Sequence, residues 1–137
     1  MNYRFATPFD AALLADMNHQ LIRDEGHRNP MTITELEARM RGWLDGEYQA
    51  VLFERDGRSV GYALFRHDAD YVYLRQFFVR PHCRRQGIGR AAMSWLLANV
   101  WNEAVRVRLE VLVGNTAGIP FWRSLGFRDY ALTLERE

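Results

Sequence analysis

The sequence predicts a mixed α/β fold, one central sheet with helices on both faces, in the order β-α-α-β-β-β-α-β-α-β. Three observations predict it. Two stretches with helical spacing of apolar residues come first. Three β-type runs separated by short polar turns follow. A glycine-containing loop then feeds a helix, and Val105, Val107, Leu109, Val111 and Val113 alternate with Arg106, Arg108 and Glu110.

The first strand is placed at Asn2 to Ala6. Thr7-Pro8 reads as N-cap and first helical position, with Asp10 in the first turn. Leu14, Met17 and Leu21 carry this helix inward, and Gly26 ends it. Thr34-x-x-Glu37 reads as a capping box in the second helix, whose apolar stripe is Ile33, Leu36, Met40, Trp43 and Leu44. Tyr48 to Arg55, Ser59 to Arg66 and Tyr71 to Val79 are the three strands, turned by Asp56-Gly57-Arg58 and by residues 67–70 and stopped by Pro81. A helix then runs to about Trp101, with Ile88, Ala92, Trp95 and Leu96 inward. The next strand is the alternating run from Val105. A helix over about Thr116 to Leu125 follows, short or distorted because it holds Gly118 and Pro120. A final strand is expected from Gly126-Phe127 to near Glu135.

The 137 residues, 48% hydrophobic and 26% charged, fit a single domain over 1–137 with an ordinary globular core. A lone cysteine, Cys83, excludes an internal disulfide and points to a reducing compartment. No apolar run reaches the length of a membrane span and the start is no signal peptide, so the expected location is the cytoplasm, with no membrane partner. A net charge of +1 gives no reason to expect nucleic acid. All 18 basic residues are arginine. Between Tyr71 and Asn102 there is no acidic residue, yet Arg75, Arg80, Arg84, Arg85 and Arg90 lie there.

The segment Val79-Arg-Pro-His-Cys-Arg-Arg-Gln-Gly-Ile-Gly-Arg90 stands between a strand and a helix. Unpaired N–H groups at a helix start and the positive end of its dipole hold phosphate. Glycine lets the backbone approach the anion, and arginine adds charge. These residues therefore indicate a phosphorylated ligand. Gly87-Ile-Gly89-Arg-Ala-Ala92 also fits a dinucleotide fingerprint, with Glu110 at the expected distance. Against a nicotinamide enzyme stand the six residues Pro81 to Gln86 before the first glycine, and the three-stranded meander that precedes the loop.

Arg84-Arg85-Gln86-Gly87-Ile88-Gly89 resembles the [Q/R]-x-x-G-x-[G/A] signature of the GNAT acetyltransferases. Val79-x-Pro81, Leu109-Glu110-Val111, Asn115 and Phe121-Trp122-x-x-Leu125-Gly126-Phe127 follow the same family's order and spacing. The resemblance implies the GNAT acyl-CoA N-acyltransferase fold and direct transfer of an acetyl group from acetyl-CoA, without a metal, to a primary amine of a small molecule or peptide. It implies that Arg84, Arg85, Gln86, Gly87, Ile88, Gly89 and Arg90 hold the CoA pyrophosphate. The pantetheine arm would run along a bulged strand at Phe77, Phe78 and Val79, with Asn115, Phe121 and Trp122 bordering it. Glu110 occupies the position where a glutamate serves as general base in the branch acting on protein N-terminal alanine; the other reading is a charged residue on the polar side of a strand, balanced by Arg106 and Arg108. The family's acid tyrosine is replaced by Trp122, which cannot usefully protonate a thiolate. A non-catalytic acyl-CoA-binding module is therefore the alternative, and a homodimer is left open. Cys83 reads as a small buried or loop thiol, and His27, with Asp24 and Glu25, as a solvated loop bordering the acceptor side.

Overall fold

The computed structural model describes residues 1–103 and 105–137. Its elements are β1 (Asn2–Phe5), α1 (Ala11–Glu25), α2 (Ile33–Asp45), β2 (Tyr48–Arg55), β3 (Arg58–His67), β4 (Tyr71–Val79), α3 (Ile88–Asn99), β5 (Arg106–Arg108) and α4 (Gly118–Ser124). The sheet order is β1-β2-β3-β4-β5. β1 to β4 are antiparallel neighbours and β5 joins β4 in parallel, so the sheet is mixed. An antiparallel meander needs only tight turns, whereas the parallel step needs a crossover, and α3 supplies it.

The alternation of side chains along the strands builds a core on each face. Leu52, Tyr62, Leu64 and Phe78 meet Leu14, Met17 and Leu21 of α1 and Met40 of α2. On the opposite face Phe53, Ala63, Phe65, Val72 and Leu74 meet Ile88, Ala92, Met93 and Leu96 of α3. Cys83 is buried in that second core. Among the described residues no helix is long and apolar enough to cross a membrane.

Several local expectations are corrected. Thr7 caps a 3-10 turn over Pro8–Asp10, and α1 starts only at Ala11. The capping box of α2 is Thr32 with Glu35, not Thr34 with Glu37: the Thr32 hydroxyl accepts from Glu35 N–H and the Glu35 carboxylate accepts from Thr32 N–H. Both spacings satisfy the motif, but the turn after Pro30 leaves Thr32 in the extended conformation a cap requires. Ile33 is consequently at the helix start and exposed. Trp95 is half-buried, stacked on Tyr3 at 4.4 Å between ring centroids.

The largest departure lies at the end of the chain. β5 covers only Arg106–Arg108 of the alternating run, and residues 128–137 form no strand. Tyr130, Leu132 and Leu134, which alternate as a strand would, are 77%, 82% and 88% exposed. The segment is held instead by side chains. Arg108 donates to the Tyr130 hydroxyl at 2.9 Å, and Arg28 donates to the Glu135 carboxylate at 2.7 Å.

Candidate active site

The site begins with a fault in the β3–β4 ladder. Leu64 pairs with Gln76 and Phe65 pairs with Leu74, so Arg75 is an extra residue with no opposite number. One inserted residue turns two successive side chains to the same face. Arg75 and Gln76 accordingly both face the α1–α2 side: Gln76 accepts a hydrogen bond from the buried Tyr62 hydroxyl at 2.7 Å, and Arg75 lies against Trp43 and Tyr48. Beyond the bulge, Phe77 packs on the α3 side and Phe78 on the α1–α2 side.

The same place is where the sheet opens. β4 and β5 pair from Tyr71 with Arg106 to Tyr73 with Arg108 and no further. From Leu74 to Val79 the β5-facing edge of β4 has no strand beside it among the described residues. Such an edge presents backbone N–H and C=O groups to whatever enters.

At the top of the opening lies the loop into α3. Gly87 is the N-cap of α3 with φ +76°, a conformation that favours glycine, and a Cβ placed there would meet nothing within 4 Å. Gly89 serves differently. A Cβ there would stand 3.0 Å from the Phe121 ring, so this position is a close-packing contact between α3 and α4. Ile88 is buried. The first N–H groups of the helix have no intrahelical acceptor and leave along its axis. The open backbone at Gly87 together with these donors fits an anionic group such as a pyrophosphate.

The arginines of the loop are not equivalent. Arg84 is engaged: it donates to Val79 C=O at 2.8 Å and to the Asp24 carboxylate at 2.6 Å, tying the loop to the end of α1. Arg90 donates to Ser124 Oγ at 2.9 Å. Gln86 accepts from Arg55 at 2.7 Å. Arg85, held at φ +62°, forms no hydrogen bond or ion pair among the described residues and is exposed. Along α3 from Arg90 to Leu97, a cavity of about 280 Å³ is lined by Arg90, Ser94, Leu97, Val107, Ser124 and Phe127.

The aromatic residues form one cluster. Trp122 meets Phe77, Phe121 and Phe127 edge-on at 5.2, 4.9 and 5.3 Å. Asn115 lies just before α4, whose N-cap is Ala117, and its Oδ1 accepts from Gly118 N–H at 2.9 Å.

Glu110 lies on the other side of the opening. Its neighbour Leu109 packs toward α3, while its own carboxylate accepts a hydrogen bond from the Tyr73 hydroxyl at 2.6 Å. Burial, reinforced by the Glu110 charge, pushes the Tyr73 phenol up to about 12. In the sequence Tyr73 reads as one aromatic among several in a strand; its signal is the pairing of Tyr73 with Arg108, two residues before Glu110. Near the end of α1, Glu25 pairs with His27 at 3.3 Å, and burial raises the Glu25 carboxyl above its ordinary value. Among the described residues no group of His, Cys, Asp and Glu could hold a metal.

A model of the acetyltransferase (GNAT) family matches residues 14–127, which include both sides of the opening and the loop between them. The chain belongs to the GNAT acetyltransferase family. The [ribosomal protein bS18]-alanine N-acetyltransferase of Escherichia coli strain K12 is 32% identical over 76 residues, 55% of this chain and 51% of the relative. The chain thus spans about half the length of the curated relatives it matches. A solved tetramutant of a Bacillus halodurans protein superposes with a TM-score of 0.81 at 20% identity, covering 100% of this chain and 99% of the other. A Clostridium acetobutylicum structure described as a predicted acetyltransferase with acetyl-CoA gives 0.76 at 21% identity, over 99% and 95%. At these identities the structures establish the GNAT fold. The dinucleotide reading does not survive: the glycines follow an antiparallel meander, not the first strand of a parallel sheet.

Proposed function

We propose that this GNAT-family chain transfers an acetyl group from acetyl-CoA to a primary amine in a ternary complex. The observation that carries the reading is the parting of β4 from β5 after Tyr73 and Arg108, with the α3 loop at one end and the Glu110–Tyr73 pair on its acceptor side. Acetyl-CoA, when bound, supplies an activated thioester acyl group.

The protein's part is then as follows. Donors of residues 84–90 hold the pyrophosphate, with Arg85 the side chain available to add charge. The unpaired edge of β4 from Phe77 to Val79 pairs with the pantetheine arm, and the Phe77–Phe121–Trp122 cluster walls it from water. A β4 N–H beyond the bulge donates to the acyl oxygen as negative charge grows there, an effect worth about 3 kcal/mol for one good donor. Glu110 takes the proton that the amine must lose, since a lysine-type amine is charged at neutral pH. Tyr73 positions Glu110. Its raised phenol stays protonated across the working range, so it remains a donor. No acid is assigned to the thiolate. A cytoplasmic location and a single 1–137 unit belong to the same reading, supported by the unpaired Cys83 and the two cores on one sheet.

Glu110→Gln tests it. The variant keeps the shape of the side chain and its hydrogen bond to Tyr73 but not its basicity. Calorimetric acetyl-CoA affinity is expected to match the parent, while kcat falls about 100-fold or more at neutral pH. The deficit narrows as pH rises, because more of the amine is already neutral. A rate and a pH profile equal to the parent's would remove Glu110 from the mechanism and leave water as the base.

A further inference from the structure

Two guanidinium groups lie against one indole on the acceptor side of the sheet. Arg39 of α2 is 4.4 Å from the Trp43 ring centroid and Arg75 of the β4 bulge is 4.7 Å from the same ring. Neither forms an ion pair among the described residues. Arg39 donates to Asn18 Oδ1 at 3.1 Å and Arg75 to the Tyr48 hydroxyl at 3.3 Å, both neutral acceptors. Glu110 is held by the neutral Tyr73 hydroxyl at 2.6 Å, and three further carboxylates have partners of their own. Asp68 pairs with Arg66 at 2.9 Å, Asp24 with Arg84 at 2.6 Å and Glu25 with His27 at 3.3 Å.

Two donors at this spot also lack acceptors. Asn18 is 1% exposed and its Nδ2 has no partner; Arg39 Nε is buried without one. A buried donor left unpaired is costly, and two adjacent cations without a counter-ion add repulsion. Arg39 feels both: burial and the charge of Arg75 lower its pKa. The combination is that of a site short of an anion.

Its position says which molecule brings the anion. Arg75 lies two residues along β4 from Tyr73, whose hydroxyl holds Glu110, and both side chains face the α1–α2 side. Two residues of strand span about 6.6 Å. We infer that the acceptor is an amine that also carries a carboxylate, an amino acid in the broad sense, with its nitrogen at Glu110 and its carboxylate on Arg75 and Arg39. The inference rests on the acetyl-transfer reading and deepens it by naming the acceptor class. The pairing is charge-assisted on both ends. Glu110 attracts the ammonium before it loses its proton, and the arginines select against polyamines and aminoglycosides, which present only positive charge. A third guanidinium, that of Arg66, lies over the Tyr48 and Tyr73 rings at 5.5 and 4.9 Å, so arginine covers the aromatic surface beside Trp43 as well.

The test compares matched acceptors: L-alanine, L-alaninamide and ethylamine, and L-phenylalanine, L-phenylalaninamide and phenethylamine, with spermidine and kanamycin as carboxylate-free controls. The intact protein is assayed for amine-dependent thiol release. The expected result is a kcat/KM at least about tenfold higher for the carboxylate member of a set than for its amide. Arg75→Gln brings that ratio close to one, mainly through KM, and Arg75→Lys restores part of it. Arg75 is exposed, so its replacement spares the core. Equal or better turnover of the amides, amines or controls overturns the inference while leaving acetyl transfer intact, and so does a ratio that survives Arg75→Gln. If no amine at all releases thiol, the acetyl-transfer reading fails, and calorimetry of L-phenylalanine against its amide decides the anion site separately. A preference for the carboxylate that Arg75→Gln abolishes supports it, and the absence of a preference overturns it.

Discussion

At the residue scale, the two glycines of the signature do separate jobs. Gly87 adopts φ +76° beside open space, whereas a Cβ on Gly89 would press on Phe121. Gly87→Ala is therefore expected to cost about 1 kcal/mol in backbone strain and to weaken acetyl-CoA binding, with the α3–α4 packing preserved. Gly89→Trp cannot leave the fold intact, because the indole has to displace Phe121. Thermal melts and calorimetry on both variants separate these effects. A Gly89→Trp protein that melts with the parent would contradict the packing role. Trp122 belongs to the aromatic cluster and no proton is assigned to it. Trp122→Phe keeps the hydrophobic wall, so kcat should stay within severalfold of the parent, with stability lower by about 1–2 kcal/mol from lost ring contact. A hundredfold loss in kcat with acetyl-CoA affinity unchanged would make Trp122 part of the chemistry.

At the scale of elements, the turn from β1 into α1 is organised by one carboxylate. Asp10 accepts from Thr7 N–H at 2.8 Å and takes both arms of Arg4, at 3.0 and 2.8 Å. The Arg4 guanidinium first, and then the Thr7 bond, hold the Asp10 carboxyl below its ordinary range. A depressed folded value means stabilisation that is complete above the unfolded pKa and is lost as pH falls through the folded one. Asp10→Asn should thus cost about 1 kcal/mol at neutral pH, with the gap to the parent closing in acid. Denaturant melts at neutral and strongly acidic pH check this, and a gap that widens in acid would contradict the assignment.

The same scale explains what could be read in the sequence. The three long strands were legible because each is bounded by strong turn residues and each face alternates into a core. Tyr71–Val79 has the limits the sequence predicts. The bulge at Arg75 was not legible from pattern, since Arg75 and Gln76 share a face only after one residue is slipped. The capping box of α2 was misplaced by two residues because both threonine–glutamate pairs have the right spacing, and the choice depends on backbone conformation at the cap.

At the scale of the whole molecule, the sheet is assembled to come apart at one place. A four-stranded antiparallel platform carries β5 for three residue pairs and then lets it go. The alternation from Val105 to Val113 and from Tyr130 to Leu134 records strand propensity, but propensity does not supply a partner edge. That is why the final strand expected from Gly126-Phe127 to near Glu135 is a side-chain-tethered segment instead. The loop residues were identified together because they are contiguous in sequence. The Tyr73–Glu110 pair and the Arg39–Arg75 pair were not, because each joins residues 36 or more positions apart.

The central claim is that this opening transfers an acetyl group to an amine. The most direct measurement is thiol release from acetyl-CoA across a broad amine panel, with mass spectrometry of the products. Release is expected to depend on an amine, to yield the acetylated amine in equal amount, and to collapse in Glu110→Gln. Tight acetyl-CoA binding with no amine-dependent release from any member of the panel would contradict it and make the chain an acyl-CoA-binding module.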